Sequence, residues 1–341
     1  MKRIYTLVTL VALIILGTSC NDEWKDEQYE QYVSFRSPLD SKGVTEVYVP
    51  YSRKNADGSY TEGKSNYELP VIVSGSNTNQ QNITVHVAHD PDTLETLNIA
   101  RFQERYDLWY HDLEDEHPEY ASFPENIEIK AGEDVSLLNI DFDFRGIDMS
   151  KKWVLPLKVV DDSSYGYQSH PRKNYSKAIL RILPFNNYSG VYSGVALLNY
   201  IKGDEGNGSI MANDITGYVV DENTIFFYAG IINEDRTDRA NYKIFAEFSG
   251  GETGGIVNFY AENEEIHFVH NKEASYRIIE DMDATRPYLK RRYVIINNID
   301  YEYTDYTSVP GTGITYTVRG SLTLERHINT QIPDEDQAIE W

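Results

Sequence analysis

The sequence predicts a mostly β protein of two domains, a β-sandwich with a helical insertion followed by an antiparallel barrel or curved sheet. Three observations carry this. Short runs rich in Val, Ile and Tyr recur along nearly the whole chain, separated by Gly, Asn, Asp and Pro turns. One stretch, roughly 92–114, changes to helical spacing. The chain has 341 residues, and at about 100–200 residues per domain that length suggests two cores.

The first domain is placed at residues 31–184. Tyr32–Ser37, Val44–Ser52, Tyr67–Ser74 and Ile83–His89 carry β-branched and aromatic residues in partial alternation, as half-buried strands do. Pro38, Asn55-Ala56-Asp57-Gly58 and Ser74-Gly75-Ser76-Asn77 mark the turns between them. Leu94, Leu97, Phe102, Tyr106, Trp109 and Leu113 then follow helical spacing. Asp90-Pro91 and the acids of the first turn supply a start signal, since Pro needs no N–H there and carboxylates favour the positive helix end. One helix or helical pair is expected over 92–114. Strands resume at Glu125–Ile129, Ser136–Phe144, Lys152–Val160 and Lys177–Leu183. Pro156 cannot donate to a ladder, so the run around it is expected at an edge or a bulge. About eight strands with short turns read as an immunoglobulin-like sandwich.

Pro184-Phe185-Asn186-Asn187 marks the expected boundary, and the second domain is placed at 186–328. Nine apolar runs follow, from Gly190–Ile201 to Thr315–His327, with turns between them and no useful helical period. Consecutive hairpins at this spacing favour an up-and-down barrel or a curved antiparallel sheet. Residues 329–341 read as a short acidic tail.

Charge and cysteine content exclude several functions. With 31 Lys+Arg against 54 Asp+Glu, the net charge is -23. Phosphate binding needs clustered positive charge, so nucleic acid is not an expected partner. A single cysteine, Cys20, excludes a disulfide framework and a cysteine-based zinc cage. Met1-Lys2-Arg3, the apolar run Leu7–Leu16 and Gly17-Thr18-Ser19 before Cys20 form a leader too short to span a membrane. Small residues directly before the chain's one thiol match a bacterial lipobox, in which the cysteine is acylated and becomes the mature N-terminus. Gly17 stands where Leu or Val is commoner, and the plainer alternative is a cleaved leader with a stray cysteine. Residues 21–30 are an acidic tether, similar to the signal that exports lipoproteins of Bacteroidota-type bacteria to the cell surface. The expected location is the outer membrane, lipid-anchored at Cys20 and exposed outside.

Several strings resemble a known pair of domains. Tyr67-Glu68-Leu69-Pro70-Val71, Asp92-Thr93-Leu94, Ile127-Glu128-Ile129-Lys130-Ala131-Gly132 and Trp153-Val154-Leu155-Pro156-Leu157 resemble an N-terminal domain of unknown function in Bacteroidota surface lipoproteins. That domain also precedes catalytic domains in some endo-glycosidases. The half opening at Tyr188-Ser189-Gly190-Val191-Tyr192 and closing at Thr317–Glu325 resembles its partner domain of unknown function, lipocalin-like in outline. Such lipoproteins are typically encoded in polysaccharide-utilisation loci beside TonB-dependent importers. The resemblance implies carbohydrate as the ligand, with an importer or a co-encoded glycosidase as partner.

Catalysis finds little support in the residues. Glycosidases need two carboxyl groups flanking a bond. Glu264/Glu265, Asp281/Asp283 and Asp300/Glu302 are the pairs to consider, but each sits beside a turn where acids are common. His267/His270 and His86/His89 are three apart, which on a strand puts the rings on opposite faces, so no metal is expected there. Asp204-Glu205-Gly206-Asn207 and Asn55-Ala56-Asp57-Gly58-Ser59 are oxygen-rich turns in which Ca²⁺ is a weak option. No other cofactor is expected, and no phosphate loop or serine elbow is present.

A binder of neutral sugar needs exposed aromatic faces beside planar polar groups, and 27 Tyr supply candidates. Tyr106 and Trp109 lie on the apolar face of the expected helix, which also suits core packing, whereas Tyr110 points away from it. Tyr165 and Tyr167 stand in the polar loop 161–174. Tyr301 and Tyr303 share one strand face and suit a barrel wall equally well. Trp153, among core-like residues, reads as core. The expectation is a non-enzymatic glycan-binding lipoprotein. The rivals are an adhesin or scaffold whose partner is a protein, and a glycoside hydrolase with a carboxylate pair.

Overall fold

The computed structural model describes residues 30–54, 58–172, 174–334 and 337–341. The leader, Cys20 and the tether up to residue 29 lie outside the described residues, as does part of the Asn55–Ser59 turn. The first domain contains β1 (Val33–Phe35), β2 (Thr45–Pro50), β3 (Lys64–Val73), β4 (Ile83–His89), β5 (Tyr110–Asp112), β6 (Ala121–Ser122), β7 (Asn126–Ile129), β8 (Val135–Asp143), β9 (Lys152–Val159) and β10 (Lys177–Phe185). Between β4 and β6 lie the helices α1 (Pro91–Phe102) and α2 (Leu113–Glu116).

Two sheets face each other. One has the order β1-β3-β8-β6, and the other β2-β10-β9-β4-β7, with β5 joined to β9. Alternation in β3 and β8 sends Leu69, Val71, Leu138 and Ile140 into the gap, where all four are fully buried. β9 does not alternate: Trp153, Val154, Leu155 and Leu157 are all buried. The reason is α1, which covers the outer face of this sheet. Leu94 and Val154 belong to a second, smaller core with Val44, Tyr110 and Ile179. The helical insertion therefore buries the second face of β9 and β10, as the continuous apolar runs require.

Two expectations about this domain are corrected. Helical structure does not run through 92–114: α1 ends at Phe102, and Gln103 follows with φ of 54°. Such a left-handed residue turns the chain out of the helix. Beyond a single turn at Tyr106–Leu108, the segment becomes β5, parallel to β9. Pro156 is not at an edge either. β10 lies on one side of it, and on the other the neighbour changes from β5, opposite residues 152–154, to β4, opposite 157–159. A residue without an N–H fits this seam, where its carbonyl accepts from Asp90 N at 3.0 Å.

The second domain contains β11 (Gly190–Ser193), β12 (Leu197–Ile201), β13 (Ile210–Met211), β14 (Asp214–Val219), β15 (Thr224–Tyr228) and β16 (Lys243–Gly251). It continues with β17 (Gly254–Tyr260), β18 (Val269–His270), β19 (Ala274–Met282), β20 (Leu289–Val309), β21 (Thr312–Asn329) and β22 (Ile339–Glu340). Antiparallel ladders run β11-β14-β15-β16-β17-β19-β20-β21 and return to β11, which closes a barrel of eight strands. Eight strands leave an interior just wide enough for side chains or one small ligand. Here Tyr192, Phe227, Phe259, Tyr301 and Tyr303 are buried within the domain's core.

The boundary is a tight, buried turn. Asn186 Oδ1 accepts from Tyr188 N and Ser189 N, and Arg326 donates to the carbonyls of Asn186 (3.1 Å) and Ser189 (2.7 Å). The acidic tail is not free. β22 pairs with β21, and Trp341 stacks on Tyr48 of the first domain with centroids 4.2 Å apart and planes 6° from parallel. Arg326 lies over the rings of both Phe185 and Trp341.

At the barrel mouth, Asp305 is 2% exposed and accepts from Arg236, Tyr242 Oη, Ser308 Oγ and the amides of Thr307 and Ser308. Burial alone would raise its pKa. The guanidinium and these donors outweigh it and hold the carboxyl well below the usual carboxylate range.

Two outcomes are expected. Trp341→Ala should lower unfolding stability by about 1–2 kcal/mol, the worth of a stacked aromatic contact; an unchanged denaturant midpoint would show that the stack contributes nothing. Because the folded-state pKa of Asp305 is depressed, its stabilisation is present above the unfolded value of about 3.9 and is lost as pH falls below it. The gap in melting temperature between the wild type and Asp305→Asn should therefore be widest near neutral pH and narrow below about pH 4. A gap constant from pH 7 to pH 3 would contradict this.

Candidate functional site

The loop that follows α1 carries an aromatic pair of which one ring is exposed. Tyr106 is 64% exposed and Trp109 is half-buried, with ring centroids 4.9 Å apart and planes tilted by 52°. The indole Nε1 donates to the Gln103 carbonyl at 3.0 Å, which fixes the ring, while Leu108 anchors the turn in the interior. Gln103, Glu104 and Asp107 place planar polar groups nearby in the same short segment.

The second domain holds this loop. Arg239, 5% exposed, donates from Nη1 to the Asp107 carbonyl (3.3 Å) and from Nη2 to the Ser150 carbonyl (3.0 Å). Arg105 Nη2 donates to the Asp235 carbonyl at 3.4 Å. Lys243 reaches both Asp148 oxygens at 3.0 Å. A loop so tied keeps its aromatic faces in place before any ligand arrives, which limits the entropy lost on binding.

The other aromatic residues singled out from the sequence lie elsewhere. Tyr110 is 4% exposed, because the chain has left the helix by then and β5 directs the ring under α1, edge-on to Phe102. Tyr167 is buried, and its hydroxyl joins Val160 O (2.7 Å) to His86 N (2.9 Å). Tyr165 is half-buried and stacks on His86 at 4.0 Å and on Tyr167 at 5.6 Å. Tyr301 and Tyr303 share a face, as alternation requires, but it is the inner one and both are fully buried. Tyr301 Oη accepts from Gly230 N at 3.1 Å. Gly230 has φ of 53°, and a Cβ there would lie 2.6 Å from Tyr303 Oη, so only glycine fits between these hydroxyls. Tyr110, Tyr167, Tyr301 and Tyr303 present no open face to a ligand. The sequence could not locate Arg239 as the loop's clamp, since nothing local marks it.

Asp283, Glu302, Asp300 and His89 each have a structural partner. Asp283 accepts from Thr285, the Arg286 amide and Arg291; these hydrogen bonds hold its carboxyl below the usual range. Glu302 pairs with Lys202 at 2.6 Å and Asp300 with Arg319 at 3.3 Å. His89 Nε2 lies 2.9 Å from both Asp112 oxygens, and Nδ1 lies 3.8 Å from Asp115. These three side chains come within metal-ligand reach of one another. Asp112 also caps α2, accepting from Glu114 N and Asp115 N. Burial raises the Asp112 pKa despite the imidazole beside it. A hydrogen-bonded His–Asp pair and a helix cap account for this geometry. Glu205, in the oxygen-rich turn 204–207, accepts from Gly203 N. No helix among the described residues is long and apolar enough to cross a membrane.

The family model for DUF4973, a domain of unknown function, matches residues 24–163, and a second model, described as a C-terminal domain, matches 176–323. The chain has no match among curated proteins. It is 57% identical to an auxiliary nutrient binding protein from Bacteroides thetaiotaomicron, with 92% of this chain and 100% of that one covered and a TM-score of 0.82. A multidomain protein including DUF1735 from Bacteroides ovatus is 46% identical, covering 91% of this chain and 100% of that one, with a TM-score of 0.79. A third, of unknown function and also from Bacteroides ovatus, is 38% identical over 92% of this chain and 97% of that one, with a TM-score of 0.78. With identity of this order along both β-rich domains, the chain belongs to the family of two-domain Bacteroides proteins that includes the auxiliary nutrient binding protein.

Proposed function

We propose that this protein is a non-enzymatic glycan binder of a polysaccharide-utilisation system, anchored at the cell surface by lipid on Cys20. The Tyr106–Trp109 pair, with Tyr106 exposed and Trp109 half-buried, in a loop held by Arg239 and Arg105, carries the reading. Sugar rings present apolar C–H faces ringed by hydroxyls, and a fixed aromatic surface beside amide and carboxylate groups complements both. The name of the 57%-identical relative, a nutrient binding protein, supports a ligand-binding role. The net charge of -23 favours a neutral glycan over an anionic one. The bound chain would be passed to a neighbouring glycosidase or a TonB-dependent importer.

Affinity electrophoresis against a panel of polysaccharides tests this. At least one neutral glycan should retard the wild type. Tyr106→Ala and Trp109→Ala should each weaken binding about tenfold or more, corresponding to about 1.4 kcal/mol or above, as truncation of an aromatic anchor does. Full affinity in both variants would remove the site, and retardation by no glycan would remove the function.

A further inference from the structure

A second concave surface lies on the first domain, outside the aromatic loop. It is a groove of about 490 Å³, within the range of ligand sites. Arg53 and Lys54 line one side, Pro118 and Glu119 contribute to another, and Asn66 and Asp141 lie on adjacent strands between them. Asn66 of β3 stands opposite Asp141 of β8, and Lys64 opposite Asp143. These four alternate with the core residues of the same strands and so face outward.

The polar side chains here are already ordered. Asn66 Nδ2 donates to Asn139 Oδ1 at 2.8 Å, and Asn139 Nδ2 donates to Asp141 Oδ1 at 2.8 Å. Lys64 and Arg145 are both held by Asp143. Among the described residues, Asn66 Oδ1 and Asp141 Oδ2 accept no hydrogen bond, and Lys54 Nζ makes none. Acceptors are thus left on the strands and a donor on the wall, the complement of a hydroxyl, which gives and takes one bond each. Tyr60, the backbone partner of Lys54, is 64% exposed but does not line the groove itself.

Charge selects the ligand class. The groove is lined by three cationic side chains, Arg53, Lys54 and Lys64, and three anionic ones, Glu119, Asp141 and Asp143. A balanced groove on a chain with 54 acids and 31 bases is a local departure from the rest of the surface. It offers no net attraction to an ion and ample hydrogen bonding to a neutral, hydroxyl-rich molecule. We infer that this groove is a second subsite for a neutral oligosaccharide, so that one polysaccharide chain is held at two places on the same protein. The inference rests on the glycan-binding reading above. Two weak sites on one scaffold raise the hold on a polymer without any new contact.

The test uses the full chain with mannan, xylan, β-glucan and galactan as neutral probes and polygalacturonate as the anionic one. Titration calorimetry is then run with an oligosaccharide of whichever polymer retards the wild type. Two sites per chain are expected, one lost in Tyr106→Ala/Trp109→Ala and the other in Asn66→Ala/Asp141→Ala, with unchanged melting temperatures. Should the double groove variant fold poorly, Lys54→Ala, at the rim, is expected to weaken that site three- to tenfold. A single site that the groove variants leave intact overturns the inference while the aromatic loop stands as the binding site. Binding lost only in the groove variants supports the groove and removes the loop. Retardation by polygalacturonate alone overturns the neutral ligand class, and retardation by no polymer overturns both readings.

Discussion

Arg326 is a guanidinium almost fully enclosed by protein at the one place where the chain passes between domains. Burial, with Arg292 nearby, pushes its pKa down to about 10, still far above neutrality, so the charge is retained. Among the described residues, no carboxylate forms an ion pair with it. The carbonyls of Asn186 and Ser189 accept from it, and the rings of Phe185 and Trp341 lie against it. A buried charge is tolerated only where such partners are supplied in fixed geometry. Residues from the end of β10, the crossing turn, β21 and the last position of the chain must therefore all be in place together. That requirement makes the boundary a fixed joint rather than a hinge.

The aromatic loop depends on this joint. Tyr106 and Trp109 belong to the first domain, yet the side chains that hold their loop, Arg239 directly and Lys243 through the adjacent Asp148 segment, belong to the second. Were the domains free to rotate, those bonds of about 3 Å would not persist. Rigidity between domains and order in the loop are thus one property. The lipocalin-like closure leads to a related point. An eight-stranded barrel is compatible with an internal ligand, but here Tyr192, Tyr301 and Tyr303 occupy the interior, with Gly230 making room for two hydroxyls. The recognition surfaces proposed above accordingly lie outside the barrel, on the first domain.

Much of the fold was legible because strand signals are local. Ile83–His89 was bounded correctly from alternation and flanking turns, whereas the run of β9 was read around Pro156 as an edge or a bulge, and its burial on both faces depends on α1 and on the strands at either side. The helix was legible at its start, where Asp90-Pro91 gives a local signal. It was not legible at its end, because Tyr106, Trp109 and Leu113 continued the helical spacing by coincidence after Gln103 had turned the chain. Tyr110 was misread for that reason: its assigned direction followed from a helix that had already stopped.

The amino-acid sequence by itself determined the β class, the presence of two domains and the acidic charge balance, since composition and period are properties of neighbouring residues. Only the tertiary structure decided which tyrosines are open. An aromatic ring on a strand is equally at home in a core or on a surface, and which it occupies depends on partners in other elements of the fold. Arg239 meeting Asp107 and Trp341 meeting Tyr48 are contacts of that kind, and no local pattern encodes them. The same holds for the groove, whose facing residues Asn66 and Asp141 come together only through the register of β3 against β8.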